Sequence, residues 1–292
     1  MSQGFVRGED ARVKLDAWFE QFRSRALAPS TPKKITTRFG ETHLLSAGPE
    51  TEPTIVLLHG AMASSAHALA EAGPLVERFR VHAIDVMGQS WKTVERRCAY
   101  DGDDYGDWLA DVFAGLGLER AHVVAVSLGG FVALRAQRKH PELLRSLSLV
   151  VPAGLVRGSS WVGFRDVGWP MLTYKLAPSD ERLRRFYLAI FTNWDEDWAR
   201  YFVESSKLMK IDLRVPPLVP PEDIKLRVPV LAIGAENDLS FPGDALVARA
   251  RELFADVETH VLQGSRHSPP TTPEGRAQVA DLITAFLRRI GS

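Results

Sequence analysis

The chain has 292 residues, of which 45% are hydrophobic and 25% are charged, with 36 acidic side chains balancing 36 basic ones. This length allows one α/β domain with an insertion and a large core, and the balanced charge excludes the basic surface that binds nucleic acid. The one cysteine, Cys98, excludes an internal disulfide framework and is expected to be a structural thiol.

The chain begins with a polar segment, Met1–Asp10, which lacks the apolar stretch of a signal peptide. No run approaches the ~18 apolar residues of a membrane span, so we expect a cytoplasmic protein. Residues 9–27 predict an amphipathic helix that packs on the core and is ended by Pro29 and Pro32. Its apolar positions are Val13, Leu15, Trp18, Phe19 and Phe22. We assign residues 1–30 to this N-terminal unit.

The rest of the chain, outside one insertion, alternates between strand and helix patterns after a hairpin at 34–47. This alternation predicts a doubly wound parallel sheet built from residues 31–151 and 222–292. The predicted strands cover 54–58, 80–85, 121–126, 146–151, 228–234 and 257–263, and the predicted helices cover 66–78, 103–116, 128–139, 243–254 and 273–289.

Residues 123–130, Val-Val-Ala-Val-Ser-Leu-Gly-Gly, form an apolar run that stops at a serine flanked by small residues. A serine at the tip of a tight strand-to-helix turn needs Ala125 and Gly129 beside it, because bulky side chains there would collide with neighbouring elements. Ser127 is therefore a candidate nucleophile. The alternative is a serine that only caps the following helix.

Two further candidates follow in the chain order serine, acid, histidine. Asp238 comes after the strand at 228–234, with Glu236 and Asp244 as alternatives, and His267 lies in a turn after the strand at 257–263. The predicted strand 54–58 runs into His59-Gly60-Ala61. All of these residues follow the carboxyl ends of strands, where ligands bind in open parallel sheets.

These motifs together resemble the α/β-hydrolase superfamily, from about Lys34 to the C-terminus, and within it the bacterial carboxylesterases. The resemblance implies an α/β-hydrolase fold with a doubly wound, mostly parallel sheet and an inserted helical cap. Ala125 and Ala235 depart from the pattern, since the family usually has glycine at both positions. The motifs are His59-Gly60, Asp85-Val-Met-Gly88, the serine turn, Val-Pro-Val before Asp238, Gly-Ser-Arg-His267, and the Phe39–His43 hairpin.

The implied cap is the segment 152–221, which lacks strand patterns and holds four of the seven tryptophans. Most of its aromatic side chains are expected to form the cap's own core, and a few to line an apolar acyl or aryl pocket. The candidate substrate contacts are Met62, Trp91, Trp161, Phe164, Trp169 and Phe191, with Trp91 placed at the rim of the pocket.

The expected chemistry is hydrolysis of carboxylic esters with small to medium apolar acyl or aryl groups. His267 would take the proton of Ser127, Asp238 would orient the imidazole, and water would hydrolyse the acyl-enzyme. The backbone N–H groups of Ala61 and Leu128 are the oxyanion-hole candidates, with Met62 in reserve. No cofactor is expected, and since the other histidines lack paired spacing, no metal either.

Two side chains near the predicted site are assigned structural roles. His59 is expected to hydrogen-bond within the oxyanion loop, and Asp85 to tie its own loop through Asx-type bonds. Serine at position 127 disfavours the epoxide and haloalkane hydrolases of this fold, which carry aspartate there.

Other functions remain open on the same triad. They are thioester cleavage, C–C bond hydrolysis of a diketone, cofactor-free peroxidation and acyl transfer in a biosynthetic pathway. A non-catalytic receptor for small molecules is a further alternative, against which the complete serine, aspartate and histidine set argues. The sequence leaves open whether the protein forms a homodimer.

Overall fold

The computed structural model describes residues 4–212 and 214–291, so positions 1–3, 213 and 292 of the predicted segments lie outside the described residues. A single eight-stranded sheet has the order β1-β2-β4-β3-β5-β6-β7-β8. β1 and β2 form an antiparallel hairpin, β2 runs antiparallel to β4, and the remaining neighbours are parallel. The strands are β1 (Ser30–Thr37), β2 (Gly40–Ala47), β3 (Thr54–Leu58), β4 (Arg80–Ile84), β5 (Ala121–Val126), β6 (Leu144–Val150), β7 (Val230–Ala235) and β8 (Val257–Leu262).

Helices connect the parallel strands and fill the segment between β6 and β7. A π-helical turn over Phe164–Gly168 joins α6 to α7. The α-helices of the described residues are α1 (Glu9–Arg23), α2 (Ser65–Ala72), α3 (Leu75–Arg78), α4 (Asp104–Leu116), α5 (Leu128–Lys139), α6 (Ser160–Gly163), α7 (Trp169–Leu176), α8 (Asp180–Tyr187), α9 (Glu196–Leu208), α10 (Gly243–Leu253) and α11 (Pro273–Arg289).

Both faces of the sheet are covered, because alternate residues of the inner strands point to opposite sides. Val123 and Ala125 of β5 face a core that includes α4, α5 and α10. Val124 faces a second core that includes α1, α2, α3 and α11. The predicted doubly wound, mostly parallel sheet is therefore confirmed.

The predicted strands agree with the observed ones to within two residues, but the single helix predicted over 66–78 is wrong. The chain breaks at Gly73-Pro74 into α2 and α3, because Gly73 has a φ of +53° and proline cannot continue the helical hydrogen bonds of α2. A side chain at position 73 would also lie 3.0 Å from Cβ of Arg276 on α11.

Helix α1 packs its apolar side on the second core, as the sequence predicts, with one exception. Leu15, Phe19 and Phe22 are buried, whereas Val13 is 62% exposed and so does not belong to the buried face. The helix ends at Arg23, before the predicted stop at residue 27. Pro32 lies within the edge strand β1, where its missing N–H costs no ladder hydrogen bond.

Candidate active site

Ser127 lies in the sharp turn between β5 and α5, with φ 50° and ψ −115°. Its N–H donates to the carbonyl of Val150 at 3.0 Å, and its own carbonyl accepts from the N–H of Ala153 at 2.9 Å. A Cβ at Gly129 would lie 2.6 Å from the carbonyl oxygen of Leu58. Only glycine fits there, so the β3 backbone itself forces the small residue after the serine.

A chain of hydrogen bonds runs from this serine to a buried carboxylate. Ser127 Oγ is 3.0 Å from Nε2 of His267, and Nδ1 of His267 is 2.8 Å from Oδ2 of Asp238. The other oxygen, Oδ1, accepts from the backbone N–H groups of Ser240 and Phe241 at 2.7 and 3.0 Å. Because the carboxylate accepts from Nδ1–H, Nε2 faces Ser127 as an acceptor, the arrangement that general-base catalysis requires.

The alternative acids lie elsewhere. Glu236 accepts from the N–H of Gly264 at 2.7 Å, in the turn before His267. Asp244 lies in the first turn of α10. Of the three candidate carboxylates, Asp238 is the one hydrogen-bonded to the imidazole.

The loop after β3 lies against the serine. A Cβ on Gly60 would be 3.3 Å from Cβ of Ser127. His59 donates from Nδ1 to the carbonyl of Gly60 at 2.7 Å and accepts at Nε2 from the N–H of Val86 at 2.9 Å. Burial lowers its pKa, so it stays neutral, and both nitrogens are occupied. His59 therefore has the structural role predicted for it.

Three backbone N–H groups near Ser127 remain available. Those of Ala61, Met62 and Leu128 donate to no described residue. The N–H of Leu128 lies at the first position of α5, where no intrahelical acceptor exists. Met62 has a φ of +60°, and its carbonyl accepts a hydrogen bond from the hydroxyl of Tyr201, a fully buried residue of α9.

A cavity of about 390 Å³ reaches Ser127 and His267. Its wall is mostly apolar. It is formed by the carboxyl ends of β3, β5 and β6, by α2 and α11, and by the helical segment between β6 and β7. That segment contributes Val167, Ile190, Phe191, Trp198 and Phe202. A mostly apolar cavity beside a serine, a histidine and free backbone donors can bind an acyl group and stabilise a developing oxyanion.

Comparison with known proteins shows which families and structures the chain resembles. Residues 53–185 match the family model of the alpha/beta hydrolase fold. The chain is 28% identical over 245 residues to the carboxylesterase nap of Bacillus subtilis (strain 168), covering 80% of this chain and 79% of that protein. It is 25% identical to carboxylesterase YbfK of the same organism, covering 80% of each. The crystal structure of naproxen esterase from Bacillus subtilis matches with a TM-score of 0.79 and 23% identity, over 96% of this chain and 99% of that one.

The chain has the α/β-hydrolase fold and resembles bacterial carboxylesterases. The predicted resemblance is thereby confirmed.

Of the residues predicted to contact substrate, Met62 and Phe191 line the cavity of this hydrolase. The other four do not. Trp91 is 3% exposed because it packs against Phe19 of α1, and its Nε1 donates to Asp16 at 2.9 Å. The three remaining aromatics point to solvent, with exposed fractions of 69% for Trp161, 54% for Phe164 and 52% for Trp169.

Asp85 has a wider role than the predicted one. It ties together three segments, accepting from the hydroxyl of Ser90 in its own loop, from Nδ1 of His43 on β2, and from both N–H and hydroxyl of Ser65 on α2. Burial raises its pKa, but the bond and charge of His43, with His59 and Ser90, outweigh this and the net pKa is lowered. The Asx-type prediction was wrong because the partners are side chains and a distant helix N-terminus.

The sequence gives no signal for the residues that fix the His267 loop. The hydroxyl of Thr192 donates to the carbonyl of Ser268 at 2.6 Å and accepts from the N–H of Arg266 at 2.9 Å. The N–H of Ser268 in turn donates to the carbonyl of Ile190 at 2.9 Å. Thr192, in the loop between α8 and α9, therefore contacts the residues on both sides of His267. Only the tertiary fold brings these two distant parts of the chain together.

Three further observations concern metal ligands, the cysteine and the helices of the described residues. No group of three or more His, Cys, Asp and Glu side chains in the described part of the chain could hold a metal ion. Burial raises the pKa of the Cys98 thiol to about 12, so it does not form a nucleophilic thiolate at neutral pH. None of the helices described for this chain combines the length and the apolar character needed to cross a bilayer.

Proposed function

We propose that this hydrolase cleaves carboxylic esters of small to medium apolar acyl or aryl groups through Ser127, His267 and Asp238. The similarity to two bacterial carboxylesterases supports ester hydrolysis. The observation that carries the mechanism is the hydrogen-bond chain from Ser127 through His267 to Asp238, in the wall of an apolar cavity.

The reaction begins when Oγ of Ser127 attacks the ester carbonyl carbon while Nε2 of His267 takes the hydroxyl proton. Asp238, held by two backbone N–H groups, stabilises the imidazolium that forms. The N–H groups of Ala61 and Leu128, with that of Met62 in reserve, stabilise the oxyanion of the tetrahedral intermediate.

Collapse of this intermediate breaks the ester C–O bond, and the imidazolium returns its proton to the leaving alkoxide. The acyl group remains on Ser127 as an ester. A water molecule then attacks the acyl carbon while Nε2 of His267 takes its proton; the bond from that carbon to Oγ breaks, and the imidazolium returns the proton to Oγ, so that the acid is released and Ser127 is restored.

The substrate class follows from the cavity. Phe191, with the neighbouring Trp198 and Phe202, presents aromatic surface to any group bound beside Ser127, and Met62 adds a flexible apolar side chain. We assign residues 152–221 as a cap over a core of 31–151 and 222–292, because its helices supply this part of the wall. The cytoplasmic location stays a prediction.

The test is hydrolysis of p-nitrophenyl acetate, butyrate, octanoate and laurate by wild type, Ser127→Ala and a matched control, Ser24→Ala. Ser24 follows the last residue of α1, and its exposed hydroxyl donates to the carbonyl of Gln21. We expect Ser127→Ala to lower kcat by at least about 10⁴-fold and Ser24→Ala to leave it unchanged. The preferred chain length would measure the depth of the cavity.

Equal activity of wild type and Ser127→Ala would contradict the proposal. A wild type that ignores these esters but hydrolyses acyl-CoA thioesters or a vinylogous diketone would assign the same triad to thioester or C–C bond cleavage. Saturable binding without turnover would indicate a receptor.

A further inference from the structure

The apolar cavity has one charged pair in its wall, Glu71 on α2 and Arg276 on α11. The Nε of Arg276 donates to Oε2 of Glu71 at 2.9 Å, and Nη2 donates to Oε1 at 3.1 Å. Only 14% of the Arg276 side chain and 28% of the Glu71 side chain are exposed. A charged pair in an otherwise apolar wall carries a desolvation cost that a purely apolar wall avoids.

The hydrogen-bonding capacity of this pair is used unequally. Glu71 also accepts from Nε1 of Trp198 on α9 at 2.8 Å, so its two oxygens receive three hydrogen bonds. Arg276 has five N–H donors, and those of Nη1 reach no acceptor among the described residues. The unused hydrogen-bonding capacity of the pair is therefore donor capacity, on a residue that lines the cavity.

We propose that Arg276 is a specificity subsite for a hydrogen-bond acceptor in the substrate's acyl chain, away from the scissile carbonyl. This inference deepens the proposed function and rests on it. The acyl chain is the half of the ester that suits this cavity, because it stays bound to Ser127 while the alcohol must leave.

The acceptor is a neutral oxygen, as in an ether, ketone or amide. The charge of Arg276 is already balanced by Glu71, so a substrate carboxylate would bring an excess negative charge. Asp195 and Asp197, both ion-paired with Arg25, add to the negative surroundings. The pKa of Arg25 is raised mainly by its hydrogen bond to Asp195 and also by the charge of Glu71, so these groups lie close to the pair. A neutral oxygen accepts from Nη1 without such repulsion.

The experiment compares p-nitrophenyl octanoate with analogues in which one ether oxygen replaces each chain methylene in turn, and with a p-nitrophenyl monoester of a dicarboxylic acid of equal length. The variant is Glu71→Gln/Arg276→Met, which removes both charges and leaves no unpaired carboxylate. The control is Arg249→Met, which removes a guanidinium from an ion pair with Glu252 on the surface of α10.

We expect kcat/KM of at least one ether analogue, relative to octanoate, to fall roughly 10- to 100-fold in the double variant, the range for a hydrogen bond to a charged donor. Arg249→Met should leave this ratio unchanged. A merely structural ion pair would lower all the esters alike and leave the ratio constant, which would overturn the subsite. Preference for the dicarboxylic monoester would overturn the neutral acceptor.

Binding separates this inference from the catalytic proposal. The p-nitroanilides of the same acids resist hydrolysis, and their dissociation constants can be measured by calorimetry with wild type and double variant. A preference of wild type for the ether anilide that the double variant loses would support the subsite even if ester turnover were absent. Equal loss of affinity for both anilides would overturn it while leaving the triad intact.

Discussion

Removing one hydroxyl from α9 tests whether that helix holds the oxyanion loop in its catalytic shape. Tyr201 donates to the carbonyl of Met62, the residue that follows the proposed donor Ala61. Met62 has a φ of +60°, a left-handed conformation that a side chain other than glycine adopts at a cost. Tyr201→Phe keeps the buried ring and deletes only the hydrogen bond, so the loop loses one restraint on a strained residue.

The increase in the catalytic barrier has an upper limit, and the loss of stability is estimated separately. Complete loss of one oxyanion donor raises the barrier by about 2.7–4 kcal/mol, whereas a lost hydrogen bond to a buried carbonyl costs about 1–3 kcal/mol of stability. A loosened but present donor lies below the first limit. We expect Tyr201→Phe to lower kcat roughly 5- to 30-fold, or about 1–2 kcal/mol, with KM within twofold of wild type and a Tm lower by about 2–5 °C.

The assay is steady-state hydrolysis of p-nitrophenyl butyrate with calorimetric measurement of Tm. Tyr105→Phe is the matched control, because Tyr105 is equally buried and its hydroxyl has no partner among the described residues. The control should leave kcat unchanged and keep or raise Tm. A Tyr201→Phe variant with lowered Tm but wild-type kcat would refute the positioning role and leave a structural hydrogen bond.

Three other substitutions probe separate parts of the structure. Asp238→Asn should lower kcat about 10⁴-fold with little change in KM, because the amide no longer fixes the acceptor tautomer of the histidine; steady-state kinetics measures both. Gly129→Ala should lower the free energy of unfolding, measured in urea, by at least about 2 kcal/mol, since the added Cβ would lie 2.6 Å from the Leu58 carbonyl oxygen. The control is Gly163→Ala on α6, where an added Cβ meets nothing within 4 Å; this variant should be neutral or stabilising. Burial lowers the pKa of His122 to about 4. Between pH 6.5 and 4 the unfolded chain therefore binds a proton that the folded chain does not, and stability falls with falling pH; His122→Gln should flatten this slope by about 1 kcal/mol per pH unit.

Local sequence patterns predict the fold and the residues of the hydrogen-bonded triad. The strands of the parallel part of the sheet are short apolar or alternating segments, and Ser127, Asp238 and His267 each lie in the turn that follows one. Parallel strands end at one edge of the sheet, so residues far apart in the chain become neighbours by topology alone. Their separations of 3.0 and 2.8 Å agree with that expectation.

The pocket could not be predicted in the same way, because aromatic composition does not determine which way a side chain faces. Trp161 and Trp198 belong to the same aromatic-rich segment, yet the first is 69% exposed and the second lines the cavity and donates to Glu71. The difference depends on which helix face meets α2. The charged wall residue Arg276 likewise looks like one more surface position of an amphipathic helix until α2 and α11 are placed together.

Helix α9 connects the parts of the site that the sequence leaves separate. Consecutive turns of this one helix place Trp198 on Glu71, Tyr201 on the carbonyl of Met62, and Phe202 in the cavity wall. Its position therefore sets both the shape of the acyl pocket and the support of the oxyanion loop. Substitutions that shift α9 should change substrate preference and turnover together, whereas truncating Trp169, which is exposed on α7, should change neither, because no described contact joins it to the cavity wall.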